Sequence, residues 1–392
     1  DAMTVLFEAS EEAGAPGVPV ERQTRGSWAS WFGGGGAASA ADDATLQASA
    51  LRAVRCALDV LGRVDGITLE EVSDFSAEQL KAYGLDALKI TLHCGMGAGA
   101  MQALHVHGSL DESGGGGERV SVESRALLSR DGFALMGEPF AQLKESEERA
   151  ASGECVVPPT MWKLVEGAVE ATVDADGYAA LHPPFRATGG APHRSARDNT
   201  IAALLAAQAA GDTKSWMRRV ESHVPESVKY RLREAGKNWL SGLRVASIVF
   251  MRILSINNDT PDVLNKTQHV FAAMHAALVK YRGVMARFNV DDKGTIMFAA
   301  FGPPPTAHED DAVRATLCAL HIVKEMEADG HTVRAGITTG EVFMGSVGNA
   351  DRGEYTFYGT TVNMAARLMV NKANTGVLVD EPTALDDKCR AE

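Results

Sequence analysis

Apolar and polar positions alternate in ways that divide the chain into recognisable elements. From Leu243 to Leu254 the sequence is dominated by Val, Ile and Phe, which predicts a buried strand, and from Val263 to Tyr281 apolar residues return at helical spacing. Val284 to Ala300 reads as a hairpin turning at Asp291-Asp292-Lys293-Gly294, and Gly302-Pro303-Pro304-Pro305 stops its second strand. The adjacent acids of that turn raise a metal site, but Asp-Asp-x-Gly at a hairpin tip is ordinarily local turn chemistry. His269, His275 and Lys280 on the helix read as solvent-facing rather than as ligands. Further on, Glu354 to Tyr358 is a strand, Gly359 a turn, and a helix follows with Thr360 or Thr361 as its N-cap.

The first half repeats this rhythm. Residues 1–9 read as a strand, Leu46 to Val64 as an amphipathic helix, and Ala87 to Met101 as a strand and hairpin partner with Gly95, Gly97 and Gly99 at the turn. A Gly-x-Gly-x-Gly run invites a phosphate loop, yet neither a helix N-cap pattern nor a Walker lysine follows. Ser113 to Gly117 is a loop tip, Phe133 to Leu135 a strand, Gly137 a turn, Phe140 to Ala151 a charged helix and Gly153 to Val157 a short strand. Residues 65–86 are polar and mixed and suggest no function.

The two halves are copies. Ser49-Ala-Leu-Arg-Ala-Val-Arg-Cys-Ala-Leu-Asp-Val-Leu61 lies over Asp311-Ala-Val-Arg-Ala-Thr-Leu-Cys-Ala-Leu-His-Ile-Val323 with Arg, Cys and Ala-Leu in register. Asp1 to Phe7 then matches Thr295 to Phe301, Leu88 to Gly95 matches Val333 to Gly340, and the Gly137 turn matches the Gly359 turn. Asn363 and Arg367 stand four and eight residues after Gly359, whereas the same offsets from Gly137 give Ala141 and Glu145. Unlike half-sites of this kind are what one composite active site between two domains, with a degenerate second site, requires.

Composition narrows the class. A chain of 392 residues that is 45% hydrophobic suffices for two domains and a connector. Its net charge of −13 argues against nucleic acid or an anionic membrane surface as partner. No apolar run approaches a bilayer span, and no signal peptide is visible, so a cytoplasmic protein is expected. Cys56, Cys94, Cys155, Cys318 and Cys389 are scattered without metal spacing and suit a reducing compartment. Residues 10–44 shift to Gly, Ala, Ser and Pro, a predicted disordered insertion. The expected domains are 1–165, a helical connector at 166–242 that includes an Ala-rich helix at Thr200 to Ala210 and a basic amphipathic helix at Ser227 to Leu240, and 243–392. Because it opens at Asp1 inside a strand, the chain reads as a fragment, inactive by itself.

Asn363 and Arg367, four apart on a helix, project from one face, and an amide beside a guanidinium fork can hold anionic oxygens. By spacing alone such a pair is more often a solvated face. The pattern Tyr-Thr-x-x-Gly-x-x-Val-Asn-x-Ala-x-Arg, however, resembles the signature of the class III nucleotidyl cyclases, and Glu-Tyr-Thr…Val-Asn-Met-Ala-Ala-Arg is similar to the soluble, bicarbonate-responsive adenylyl cyclases. The resemblance implies an α+β fold of two ferredoxin-like cyclase domains in a pseudo-twofold pair within one chain. It implies that ATP is cyclised to cyclic AMP and pyrophosphate, with Asn363 and Arg367 stabilising the transition state and Thr356 contacting the purine edge. Arg287 falls where an adenine-contacting lysine is expected, Asp1 matches the second aspartate of a site for two Mg²⁺ or Mn²⁺ ions, and Lys144 stands near a bicarbonate-binding position. Arg252 occupies or adjoins the place of the first metal aspartate in the second copy, which would leave that copy without metal ligands.

The alternatives belong to other classes. A pseudocyclase would bind nucleotide or dimerise without turnover, and two ferredoxin-like domains with no catalysis would show the same coarse repeat. Guanylyl cyclase is disfavoured because Thr356 stands where guanine readers place a more specific polar residue.

Overall fold

The structure, a computed structural model, describes residues 40–73, 75–108, 130–183, 204–205, 208–211, 213–224, 228–229, 241–257, 260–291, 294–348 and 353–385. The expected strand at 1–9, most of the Gly/Ala-rich insertion, the loop tip at Ser113 to Gly117, Asp292, and most of the two connector helices lie outside these residues. Two compact units are formed, Asp1–Ala100 with Gly137–His193 and Met101–Met136 with Arg194–Glu392. Both mix α and β.

In the first unit, helix α1 (Ala40–Val64) precedes the short helices α2 (Leu69–Val72) and α3 (Ala77–Ala82). Strand β1 is Cys94–Gly95; β2 (Met101–Gly108) and β3 (Arg130–Gly137) come next but belong to the second unit. Helix α4 (Glu138–Arg149), strand β4 (Cys155–Val157), helix α5 (Pro159–Val165) and strands β5 (Glu170–Val173) and β6 (Ala179–His182) complete the first unit. Its sheet runs β1-β4-β6-β5, with β1 parallel to β4 and the other pairs antiparallel. Val54 and Leu61 of α1 bury against Cys155, Val157, Met161 and Leu181, the side of α1 that its helical periodicity marks as apolar. Residues 170–182, placed in the connector by sequence, thus extend this sheet.

Gly95, Gly97 and Gly99 do not make the expected hairpin turn. A Cβ on Gly95 would stand 2.4 Å from the Glu147 amide nitrogen, and one on Gly97 would stand 2.2 Å from the Pro139 carbonyl. These glycines therefore let the chain pass close against α4.

The second unit contains helix α6 (Thr213–Ser222), strand β7 (Gly242–Ile253), helix α7 (Val263–Tyr281), the hairpin β8 (Val284–Asp291) and β9 (Gly294–Phe301), and helix α8 (Asp311–Ala328). Strands β10 (Val333–Gly348) and β11 (Gly353–Tyr358), helix α9 (Thr360–Val370), strand β12 (Val377–Val379) and helix α10 (Glu381–Leu385) follow. The sheet order is β11-β10-β7-β9-β8, with β12 parallel to β10. On one face Met251, Ile253, Met297 and Phe301 pack against Phe271, Met274, Ile322 and Met326 of α7 and α8. The β2–β3 hairpin adds Leu104, Val106, Ala134 and Met136 to the same core. That hairpin corrects one sequence expectation: His275 is 4% exposed and stacks on Phe271, because Gly108 lies directly over its ring. His269 is exposed as expected and pairs with Asp329 at 2.8 Å.

The repeat is visible in backbone geometry. Gly137 (φ 141°, ψ 175°) and Gly359 (φ 148°, ψ 168°) share a conformation closed to other L-residues, and each caps the helix that follows. The N-cap of α9 is accordingly Gly359 and not Thr360 or Thr361. Gly95 crosses α4 against Leu143 and Glu147, six and ten residues after Gly137; Gly336 crosses α9 against Ala365 and Met369, six and ten after Gly359. Gly95 pairs with Val156 as Gly336 pairs with Leu378, each partner nineteen residues beyond its turn glycine. The match of Gly95 to Gly340 read from sequence is corrected by four residues, to Gly336.

Two outcomes follow from this packing. Gly336→Ala, whose Cβ would sit 2.2 Å from the Ala365 carbonyl, is expected to lower stability by about 1–3 kcal/mol in urea denaturation, without any change in φ being demanded. Asp131 on β3 is partly buried, which raises its pKa, but hydrogen bonds from Ser222 and His107 outweigh that and hold it below the ordinary value. A depressed carboxylate stabilises the fold above its unfolded pKa and loses that contribution as pH falls through its folded one. The stability advantage of the native protein over Asp131→Asn should therefore be full at neutral pH and shrink below about pH 4 in pH-resolved urea titrations.

Candidate active site

The candidate side chains of the second unit are arranged by one feature, the outer half of β10 and its partner β11. Residues Phe343 to Gly348 pair with Gly353 to Tyr358 and form an arm that folds over the sheet face opposite α7 and α8. Aromatic packing holds it there. Phe357 meets Phe298 edge-on at 5.6 Å, Phe298 stacks on Phe250 at 4.7 Å, and Tyr355 meets Phe357 at 5.7 Å. With Tyr355 and Phe357 turned inward, strand alternation puts Glu354, Thr356 and Tyr358 on the outer face. Thr356 is half-buried and stands opposite Gly345, so no cross-strand side chain covers it.

The fold of the arm brings the two edges of the sheet together at one ion pair. Arg287 on β8, at a β-bulge, donates to Glu354 on β11 at 2.8 Å. Arg287 and Thr356, assigned to the base by resemblance, therefore stand on elements joined by a side-chain bond, with Glu354 two residues from Thr356. Glu354 is a member of the site that sequence reasoning quoted in its motif without assigning it a role.

Asn363 and Arg367 lie on the exposed side of α9, while Val362, Ala365 and Met369 are buried beneath. Among the described residues, no side-chain hydrogen bond or ion pair engages either of them. Their placement depends on polar anchors, of which the sequence marked only Thr361, and that as an N-cap. Thr361 donates to the Glu341 carbonyl at 3.0 Å and Thr338 donates to the Thr361 carbonyl at 2.7 Å, fixing the start of α9 against β10. At its far end Asn374, 2% exposed, donates to the Leu368 carbonyl at 3.0 Å and the Ala335 carbonyl at 2.9 Å, and accepts from the Gly376 amide. An Asn seven residues past Arg367, the end of the helical motif, is the sequence signal that could have revealed it.

The first copy is differently equipped. Lys144 lies on α4 next to Glu145, which occupies the offset of Arg367 and accepts a hydrogen bond from Tyr178. Arg149 lies over the Tyr178 ring at 4.1 Å and pairs with Asp174 and Asp176 at 3.2 and 3.0 Å. Arg252 is a register partner of Arg334 and Ile296 in the middle of the second unit's sheet. Asp1 lies outside the described residues, and among those described no group of three or more His, Cys, Asp or Glu could hold a metal ion. No helix among them is long and apolar enough to cross a membrane.

Comparison with known proteins identifies the class. Residues 244–386 match the adenylate and guanylate cyclase catalytic domain, the domain of the class III nucleotidyl cyclases. The chain is 23% identical over 259 residues to adenylate cyclase type 10 of Oryctolagus cuniculus and 24% identical over 257 residues to that of Homo sapiens. These matches cover 62% and 61% of this chain but only 16% of each relative, so the chain spans a small part of their length. The adenylyl cyclase CyaB from P. aeruginosa superposes on 37% of this chain and 80% of its own at 23% identity, with a TM-score of 0.32.

The buried amide gives a direct test of how α9 is held. Asn374→Ala deletes an amide that makes three hydrogen bonds and leaves one buried and one partly buried carbonyl without it. A loss of about 2–4 kcal/mol is expected in urea denaturation, with Asn374→Asp recovering only the bond to Gly376.

Proposed function

We propose that this chain carries the catalytic core of an adenylyl cyclase, converting ATP to cyclic AMP and pyrophosphate with Mg²⁺ or Mn²⁺. The observation that carries the reading is the exposed pair Asn363 and Arg367 on α9, directly after the strand bearing Thr356, inside the segment that matches the cyclase domain. The similarity to adenylate cyclase type 10 supports adenine as the base. In the proposed reaction the ribose 3′-hydroxyl attacks the α-phosphate in line and pyrophosphate departs. Arg367 offers a guanidinium fork to the oxygens on which charge accumulates, and Asn363 a neutral donor one turn away, both preorganised by a helix anchored at its two ends. Thr356 supplies a hydroxyl able to donate or accept at the purine edge, with Arg287 beside it, oriented by Glu354. Asp1 is proposed as a metal ligand in the complementary half-site, and Lys144 as the contact for a bicarbonate regulator. The acids around Lys144 make that last assignment the least favourable electrostatically.

The test is cyclic nucleotide formation from ATP and from GTP by the native protein carrying this sequence, compared with Arg367→Ala and Asn363→Ala. Cyclic AMP should be the main product, and Arg367→Ala should lower kcat on the order of a hundredfold or more. An Arg367→Ala variant with native kcat would overturn the reading. A native protein that binds an ATP analogue but forms no product would instead be a pseudocyclase.

A further inference from the structure

The first unit places two cysteines side by side in a way the cyclase reading does not use. Cys94 on β1 and Cys155 on β4 are direct register partners across a parallel strand pair, so both side chains leave the same face of the sheet. Neighbouring strands lie about 4.8 Å apart, within the Cα separation a disulfide can span. Both thiols are free, and they are hydrogen-bonded to each other. They differ in access: Cys155 is 0% exposed, while Cys94 is half-buried with its sulfur 3.7 Å from the Gly95 carbonyl.

The internal repeat provides a control. The same slot in the second unit, one residue before the Gly336–Leu378 pair as Cys94 and Cys155 precede Gly95–Val156, holds Ala335 and Val377. Both members of the pair differ together, and the fold accommodates an alanine and a valine there. The thiols are thus an addition to the scaffold and not a requirement of it.

We infer that Cys94 and Cys155 form a peroxide-responsive thiol pair in which Cys94 is oxidised first and Cys155 closes a reversible cross-strand disulfide. The bond to Cys155 holds the Cys94 thiol below its ordinary pKa, against burial and the Glu147 carboxylate, whereas the same bond and burial push Cys155 up. Cys94 is therefore the nucleophile. Its thiolate attacks one oxygen of hydrogen peroxide, the O–O bond breaks, and after proton transfer the products are Cys94 sulfenic acid and one water. The Cys155 sulfur then attacks the Cys94 sulfur, the S–O bond breaks, and the Cys155 proton leaves with the hydroxyl as a second water. Two thiols are oxidised and one peroxide is reduced. Side chains of direct partners on parallel strands point alongside each other and not toward each other, which favours a strained disulfide that thiol reductants reopen. Cys56 on α1 lies near Cys94 and is the competing partner, but burial, Asp59 and Cys94 itself push its thiol up.

The test is peroxide titration of the reduced folded chain, followed by alkylation in denaturant and non-reducing peptide mapping. The expected result is a linked Cys94–Cys155 peptide pair, a loss of two alkylatable thiols, and recovery of both on adding dithiothreitol. In Cys155→Val, a residue the homologous slot already carries, Cys94 should accumulate as a dimedone-reactive sulfenic acid, and in Cys94→Ala, Cys155 should stay alkylatable. Linkage of Cys94 to Cys56, oxidation of Cys155 in Cys94→Ala, or native Cys94 reaching the sulfinic state with Cys155 still reduced would each overturn the inference. Should either variant fold poorly, the linked peptide in the native chain decides the matter by itself.

Discussion

Where β10 passes beneath α9 there is room for a hydrogen atom and no side chain: the backbone of Ala365 and Met369 occupies the space a Cβ on Gly336 would take. The register of α9 on the sheet depends on this approach. It fixes which helical face is buried, and hence that Asn363 and Arg367 face outward. Gly359 sets the angle at which the helix leaves β11, and Thr361 and Asn374 secure its two ends. Side chains on a surface helix would otherwise be free to shift by a fraction of a turn, and for the proposed role of this pair a displacement of that size is enough to spoil alignment with a phosphate.

The second organising force is aromatic burial. Without the packing of Phe357 and Tyr355 over Phe298 and Phe250, the β10–β11 arm would extend as a two-stranded ribbon, and Arg287 and Glu354 would sit at opposite edges of one sheet. Their exposed ion pair contributes little to stability. Its importance is geometric, since it marks the point at which β11, the strand that carries Thr356, and β8 meet.

Divergence between the copies shows how one scaffold holds different chemistry. The glycine turns, the glycine–helix crossings and the parallel partners recur at the same offsets, because they are demanded by backbone packing. The exposed helical positions obey no such demand. Where α9 presents an amide and a guanidinium, α4 presents Ala141 and a carboxylate engaged by Tyr178, and the buried slot with Ala335 and Val377 in one copy holds two thiols in the other.

Much of this was determined by the sequence alone. The helices α1 and α7, the strand β7 and the β8–β9 hairpin follow from periodicity and turn chemistry, α8 follows from its match to α1, and the spacing of Gly359, Asn363 and Arg367 is local enough to survive any packing. The family resemblance assigned Thr356 and Arg287 to a common substrate but could not place Glu354 between them. Long-range contact decided the rest. Gly95 and Gly97 look like turn residues until α4 is laid against them, His275 looks solvent-facing until the β2–β3 hairpin covers it, and Cys94 and Cys155, sixty-one residues apart, become neighbours only when β1 and β4 pair. Sequence patterns report each residue's preference for water or backbone shape, whereas these outcomes depend on which surface arrives opposite, and that is settled only by the packed chain.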